Sequence, residues 1–178
     1  VAKGAHSLLD VVFFPASGAA LPPTSDPKPT TPAPVTPAPS TPRSVGSDGI
    51  PEGFPNASTT GVRAGVQLRD SGSITVTQPG TVIEGLRVDG TITVSADNVV
   101  IRDTLIRGGG DGYPIRVTSG VRGTLIEYVE IDNLNSTGIG IFFNGGSGRV
   151  RHANIHSAED GIRIGADDVV VENSYIHD

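Results

Sequence analysis

Short alternating runs of apolar and polar residues fill most of this 178-residue chain after its first third. Five eight-residue segments align without gaps: VIEGLRVD (82–89), VIRDTLIR (100–107), LIEYVEID (125–132), RVRHANIH (149–156) and VVENSYIH (170–177). Their second and seventh positions are always Ile or Val, and the second positions recur after 18, 25, 24 and 21 residues. Such β-branched residues favour a buried pleated surface, and this repeat length is typical of a solenoid.

A shorter run precedes each of the five segments: ITV (74–76), ITV (92–94), IRV (115–117), IFF (141–143) and IRI (162–164). Its first and third residues are apolar, as in a strand that points its middle residue outward. One turn of the solenoid, or rung, is therefore strand, short turn, strand, bend, strand and variable loop. The sequence predicts an all-β, right-handed parallel β-helix of about five rungs. A β-sandwich fits less well because it would show hairpin turns.

The fourth position of the longer segment is the predicted bend between the second and third strands. It holds Gly85, Asp103, Tyr128, His152 and Asn173. Only Asp103 and Asn173 suit a ladder of side chains bonded from rung to rung, so we expect a partial ladder. For His152 we expect packing or a ladder bond rather than a ligand-binding role.

The first 48 residues differ in composition from the rest. Residues 1–21 have the charged, apolar and small-residue regions of an export signal, although Asp10 interrupts the apolar part; the alternative is the end of an upstream region. Residues 22–48 form a Pro/Thr-rich segment, which predicts a disordered, flexible linker. No apolar run is long enough for a membrane span.

The folded part is predicted to begin at about residue 49. Residues 49–70 precede the first rung, and a solenoid needs a cap over its open end. We therefore expect 49–70 to be the N-terminal cap, with Phe54 and Val62 covering the core, and 71–178 to be the β-helix.

Charge and composition exclude several classes of function. A net charge of −6 argues against general nucleic-acid binding, which needs a basic surface. The absence of cysteine excludes disulfides, thiolate zinc sites and a cysteine nucleophile.

Three stretches carry a family resemblance: GFPNASTTGV (53–62), PGTVIEGLRVDGTITVSADNVVIRDTLI (79–106) and EDGIRIGADDVVVENSYIHD (159–178). They resemble exported right-handed β-helix proteins of the pectate-lyase-like superfamily, of a type found in actinobacteria and their phages. The resemblance covers about residues 50–178 and implies a secreted, cell-surface or virion location. More rungs normally follow in such proteins, so it also implies a chain truncated at its C-terminus. The superfamily includes lyases, hydrolases, esterases, tail spikes and proteins without known catalysis, so the fold alone does not give the activity.

The outward residues of the short runs form a row: Thr75, Thr93, Arg116, Phe142 and Arg163. Arginine binds carboxylates in a bidentate manner, and an aromatic ring offers a flat face to a sugar. The resemblance implies that polysaccharides lie along this sheet. We therefore predict a polysaccharide-binding groove formed by Arg116, Phe142 and Arg163, with Asp111, Tyr113 and Asn144 from the adjoining loops and turns. The alternative is an ordinary solvated strand face.

Glu159, Asp160 and Arg163 are the candidate catalytic residues. The acids could hold Ca²⁺ or act as a general acid, as in the lyases that the chain resembles, and glycoside hydrolysis would need a carboxylate pair. No complete lyase or hydrolase motif is present, and a turn-forming role for Asp160 is the alternative. The sequence thus leaves two function classes: a polysaccharide-recognising protein, with or without lyase or hydrolase activity, and a structural or adhesive module, which could be a homo-oligomer in a phage tail or on a cell surface.

Overall fold

The computed structural model describes residues 45–46, 49–108 and 112–178. The predicted export segment, 1–21, lies outside these residues, as does the predicted linker except for Val45 and Gly46. The described residues form no helix and so include no candidate membrane-spanning helix.

Twelve strands occur in the part of the chain that the structure describes, and every pairing between them is parallel. They are β1 (Arg69–Ser71), β2 (Ile74–Val76), β3 (Val82–Glu84), β4 (Leu86–Asp89), β5 (Ile92–Val94), β6 (Val100–Arg107), β7 (Ile115–Val117), β8 (Thr124–Phe143), β9 (Gly148–Arg151), β10 (Asn154–Ile164), β11 (Val169–Glu172) and β12 (Tyr175–Ile176). The chain folds as the predicted right-handed parallel β-helix of about five rungs.

Three stacked sheets run along the solenoid in the predicted register. The first sheet aligns Ile74, Ile92, Ile115, Ile141 and Ile162. The second aligns Ile83, Ile101, Ile126, Val150 and Val171. The third aligns Val88, Ile106, Ile131, Ile155 and Ile176. Both β-branched columns of the eight-residue repeat are therefore confirmed, together with the column of the short runs.

These columns form the hydrophobic core. Ile106, Ile131 and Ile155 of the third sheet have no exposed surface. In the last rung the matching residues Val171 and Ile176 are 39% and 48% exposed. Burial is thus complete where a rung has neighbours on both sides.

In two rungs, the chain continues as β-strand from the third sheet to the first, without an intervening loop. We expected variable loops at 132–138 and 156–161, but β8 and β10 run through them. Ala158 pairs with Ser136 and Asp160 with Ile139, with register shifts on either side of Ala158. Eight residues separate Asp132 from Ile141 in β8, whereas five separate the paired His156 and Ile162 in β10. The register shifts absorb this difference, so the two backbones still pair instead of forming separate loops.

A left-handed backbone conformation recurs at the bend between the second and third sheets. The φ angles are positive at every rung: Gly85 65°, Asp103 45°, Tyr128 51°, His152 51° and Asn173 47°. Left-handed conformations are costly for residues other than glycine, so the stacked strands on both sides must hold them in place. The His152 ring stacks on that of Tyr128, with centroids 4.7 Å apart and planes 5° from parallel, which confirms the expected packing role of His152.

The segment before the first rung runs along this row of bends. The Gly61 amide donates to the carbonyl of His152, and the Arg69 amide donates to that of Gly85. β1 then extends the third sheet by pairing with β4. We expected Phe54 to cover the core, but its side chain is 52% exposed and does not do so. The segment is instead fixed to the side of the solenoid through backbone hydrogen bonds.

Arg63 is the main side-chain contact of this segment. Its Nε atom donates to Asp103 Oδ1 at 2.8 Å, its Nη2 atom donates to Oδ2, and its guanidinium lies 4.8 Å from the centre of the Tyr128 ring. Asp103 therefore does not form the expected ladder bond. Its side chain is only 1% exposed. The hydrogen bonds from Arg63 lower the pKa of the Asp103 carboxyl, against the opposing effect of burial.

The lowered pKa of Asp103 predicts a specific loss of stability in acid. A carboxyl whose pKa is lower in the folded chain stabilises the fold above its ordinary pKa of about 4, and this contribution disappears as the pH falls through the folded-state value. Arg63→Gln should reduce the free energy of unfolding at pH 7, and the difference from wild type should shrink towards pH 2. Urea unfolding across this range measures it. Arg87→Gln, which removes an exposed pair with Asp70, should change little; an equal effect of both variants would contradict the assignment.

The interior register makes a second prediction. Ile131→Asp places a charge in a fully buried column and should destabilise the domain by more than about 4 kcal/mol, which is enough to unfold many domains of this size. Thr75→Asp, at an exposed outward position of β2, is the matched control. Circular dichroism and thermal unfolding of both variants provide the measurement, and a folded Ile131→Asp protein would refute the register.

Candidate functional site

The outer face of the first sheet carries the predicted row of side chains. The register places Thr75 beside Thr93, Thr93 beside Arg116, Arg116 beside Phe142, and Phe142 beside Arg163. Neighbouring strands in a sheet lie about 4.8 Å apart. Two arginines therefore flank one aromatic ring along the length of the solenoid, as the sequence predicted.

Tyr113 joins this row from the chain just before β7. Its ring centre lies 5.0 Å from that of Phe142, with the planes tilted by 41°. The guanidinium of Arg116 lies 5.8 Å from the centre of the Tyr113 ring. Arg116 forms no ion pair with any carboxylate in the described part of the chain. Among the described residues, its guanidinium faces an aromatic ring rather than an acid.

Arg163 differs from Arg116 because it has an acidic partner. Its Nη2 atom donates to Asp160 Oδ2 in an ion pair within β10. Both side chains are well exposed, at 54% and 43%, so the pair is open to solvent. Two of the three candidate catalytic residues therefore lie together on the first-sheet side.

The remaining predicted residues are more dispersed. Glu159 lines a small cavity at the last rung with Ile176 and His177. Asn144 follows β8, where its backbone amide donates to the carbonyl of Val117. Asp111 lies outside the described residues. Among the residues that are described, no three His, Asp or Glu side chains are grouped as a metal site, so a Ca²⁺ role for Glu159 and Asp160 stays a prediction.

A second group of polar side chains lies on the outer face of the third sheet. We call it the third-sheet cluster; it consists of Glu130, Asp132, Asn154, His156, Ser157, Tyr175 and His177. The register aligns Glu130 with Asn154 and Tyr175, and Asp132 with His156. Stacked strands thus bring three rungs together at this face.

Hydrogen bonds connect the centre of the third-sheet cluster. His156 Nε2 lies 2.9 Å from Glu130 Oε1, and His156 Nδ1 lies 3.0 Å from Ser157 Oγ. The Asn154 side-chain amide donates to both oxygens of Glu130 at 3.0 Å. The side chains of His156 and Glu130 are 24% and 27% exposed, so the cluster is partly shielded but still reachable from solvent.

His177 extends the cluster into the last rung. Its Nε2 atom lies 3.1 Å from Asn154 Oδ1, and its ring stacks on Tyr175 with centroids 4.2 Å apart. The His156 and His177 rings are 5.4 Å apart. Glu130 was not among the predicted site residues. The signal was present in the sixth and eighth positions of the aligned segments, where every residue except Leu105 is polar.

The packing of Gly61 against Glu130 links the N-terminal segment to this cluster. Gly61 has a φ of +76°, and a Cβ atom at this position would lie 2.3 Å from Glu130 Oε2. Only glycine allows the backbone to approach so closely. Asn154 and His156 hold the carboxylate of Glu130 by hydrogen bonds, and the lack of a side chain at Gly61 leaves room for it.

Comparison with known proteins shows no relationship: the chain matches no protein-family model, and neither the curated proteins nor the solved structures contain a significant match. The β-helix fold is shown by the structure, whereas the resemblance to the pectate-lyase-like superfamily stays a prediction.

Proposed function

We propose that this protein is an exported or surface-exposed β-helix that binds an acidic polysaccharide along the outer face of its first sheet. The main support is the group formed by Arg116, Tyr113 and Phe142. The ring centres of Tyr113 and Phe142 are 5.0 Å apart, and the Arg116 guanidinium lies 5.8 Å from the centre of the Tyr113 ring. Arginine and tyrosine are common anchors of binding surfaces.

The charge of Arg116 supports an acidic rather than a neutral polymer. No carboxylate of the described residues pairs with it. Its Nε atom is buried, so its terminal Nη groups are the donors that would bind a uronate carboxylate in the bidentate geometry that guanidinium groups favour. Phe142 offers an apolar surface one strand away. The protein as a whole carries a net charge of −6, so attraction to an acidic polymer must come from this local group.

Arg163 gives the face a second cationic position, two strands from Arg116 or about 10 Å along the axis. Its exposed pair with Asp160 is the weak kind of ion pair that solvent screens. A uronate can replace Asp160 as its partner at little cost. Cleavage by Glu159, Asp160 and Arg163 has less support, because Glu159 lines a small cavity at the last rung to which neither Asp160 nor Arg163 contributes.

Binding to polygalacturonate and alginate, measured by isothermal titration calorimetry at low salt, tests the proposal. Arg116→Gln removes the bidentate contact and should weaken binding by about tenfold or more. Phe142→Leu keeps an apolar side chain but removes the flat ring, and it should also weaken binding. Arg122→Gln, at an exposed turn outside this face, is the matched control and should bind as wild type does.

Other results of the same experiment identify the alternatives. Equal losses for Arg116→Gln and Arg122→Gln would show general charge attraction and would overturn the site. Absence of binding to any polymer of a wide panel would favour a structural or adhesive module. Formation of unsaturated products, followed by absorbance with and without Ca²⁺, would add lyase activity to the binding function.

A further inference from the structure

A nucleophile, a base and an acid form a continuous hydrogen-bonded array within the third-sheet cluster. Ser157 Oγ lies 3.0 Å from His156 Nδ1, and His156 Nε2 lies 2.9 Å from Glu130 Oε1. If Nε2 of the neutral imidazole carries the proton, it donates to Glu130 while Nδ1 accepts the proton of Ser157. This satisfies both ring nitrogens at once. It is the order of groups that activates a serine hydroxyl.

The backbone at Ser157 separates it from the regular ladder. Its φ angle is +59°, a left-handed conformation that is unfavourable for a serine. The β8–β10 pairing passes from His156 to Ala158 with a register shift, so Ser157 has no partner in the ladder. The stacked segment of β8 also contains left-handed residues, Leu134 and Asn135, both with φ of 55°; in β10 the left-handed residue directly follows the histidine. Both residues are only partly buried, which leaves the hydroxyl accessible.

Glu130 is held firmly enough to orient the histidine. The Asn154 amide donates to both of its oxygens at 3.0 Å, and Gly61 packs against Oε2. These contacts restrict the carboxylate to the position that faces His156. Its negative charge stabilises the imidazolium that forms when His156 takes up a proton.

From this geometry we infer that the third-sheet cluster is a serine esterase site that hydrolyses small acyl esters. Ser157 is the nucleophile, His156 the general base and acid, and Glu130 the positioning residue. The site lies on a different sheet from Arg116 and Phe142. It does not depend on the proposed polysaccharide binding, and an acyl group carried on a sugar hydroxyl is one substrate that would connect the two.

The reaction follows from the array and balances without a cofactor. Ser157 Oγ forms a bond to the carbonyl carbon of the ester while its proton passes to His156 Nδ1. The tetrahedral intermediate breaks its bond to the alcohol oxygen, which takes the proton from His156 and leaves. Water then attacks the acyl-serine, giving one proton to His156, and the bond to Ser157 Oγ breaks. Ser157 recovers its proton, so ester and water become acid and alcohol.

Labelling of the full-length chain with a fluorophosphonate probe tests the nucleophile directly. Peptide mass spectrometry should find the label on Ser157, and Ser157→Ala should abolish it. Ser119→Ala, at an exposed turn far along the chain from the cluster, is the matched control and should be labelled as wild type is. Labelling at the rate seen for serines of the urea-unfolded chain would overturn the site.

Turnover of p-nitrophenyl acetate tests the base and the positioning residue. His156→Gln and Glu130→Gln should each lower kcat by about 100-fold or more. Glu130→Gln keeps a hydrogen-bonding side chain of the same size. If Glu130 were only structural, this substitution would leave kcat unchanged; if it positions His156 through its charge, kcat should fall. Unfolding curves identify any variant that loses its fold. If His156→Gln or Glu130→Gln does not fold, Ser157→Ala still tests the inference. Wild-type turnover that survives Ser157→Ala would refute the inference, whereas glycan binding should be the same in both proteins.

Discussion

The stacking of Ile and Val side chains in the interior columns is the constraint on which the rest of the structure depends. A strand displaced by one residue would turn its apolar side chains to solvent and its polar ones into the core. Each rung is therefore locked to the next, as the pairing of Ile106 with Ile131 and of Ile131 with Ile155 shows. Once the inward residues are fixed, the outward residues must also lie above one another. Both candidate sites are consequences of this register.

The N-terminal segment adds contacts that the repeat itself does not supply. Arg63 binds the almost fully buried carboxylate of Asp103 and covers the ring of Tyr128, while Gly61 lies against Glu130. The row of left-handed bends thus gains an outer layer. An unpaired Asp103 would be costly at this depth. The segment is therefore an integral part of the solenoid rather than a cover over its end.

The sequence predicted the columns and the first-sheet row because both follow from short-range alternation and from a gap-free repeat. It did not predict the Arg63–Asp103 pair, whose partners are 40 residues apart in the sequence and are linked by no repeat pattern. Nor did it predict the array of Glu130, His156 and Ser157. That array needs the exact rotation of each side chain and a left-handed Ser157, and neither is encoded in a hydrophobic pattern. A loop at 132–138 was expected because polar residues there suggest a turn, but the segment pairs with the next rung as a strand.

The continuity of β8 and β10 has a consequence for what can approach the molecule. These strands continue from the third sheet to the first, so the two faces are joined by paired strands in those rungs. If the proposed polymer lies over Arg116 and Phe142, paired strands rather than a separate loop border the contact on the side of β8 and β10. The solenoid would act as an open track rather than as a closed pocket.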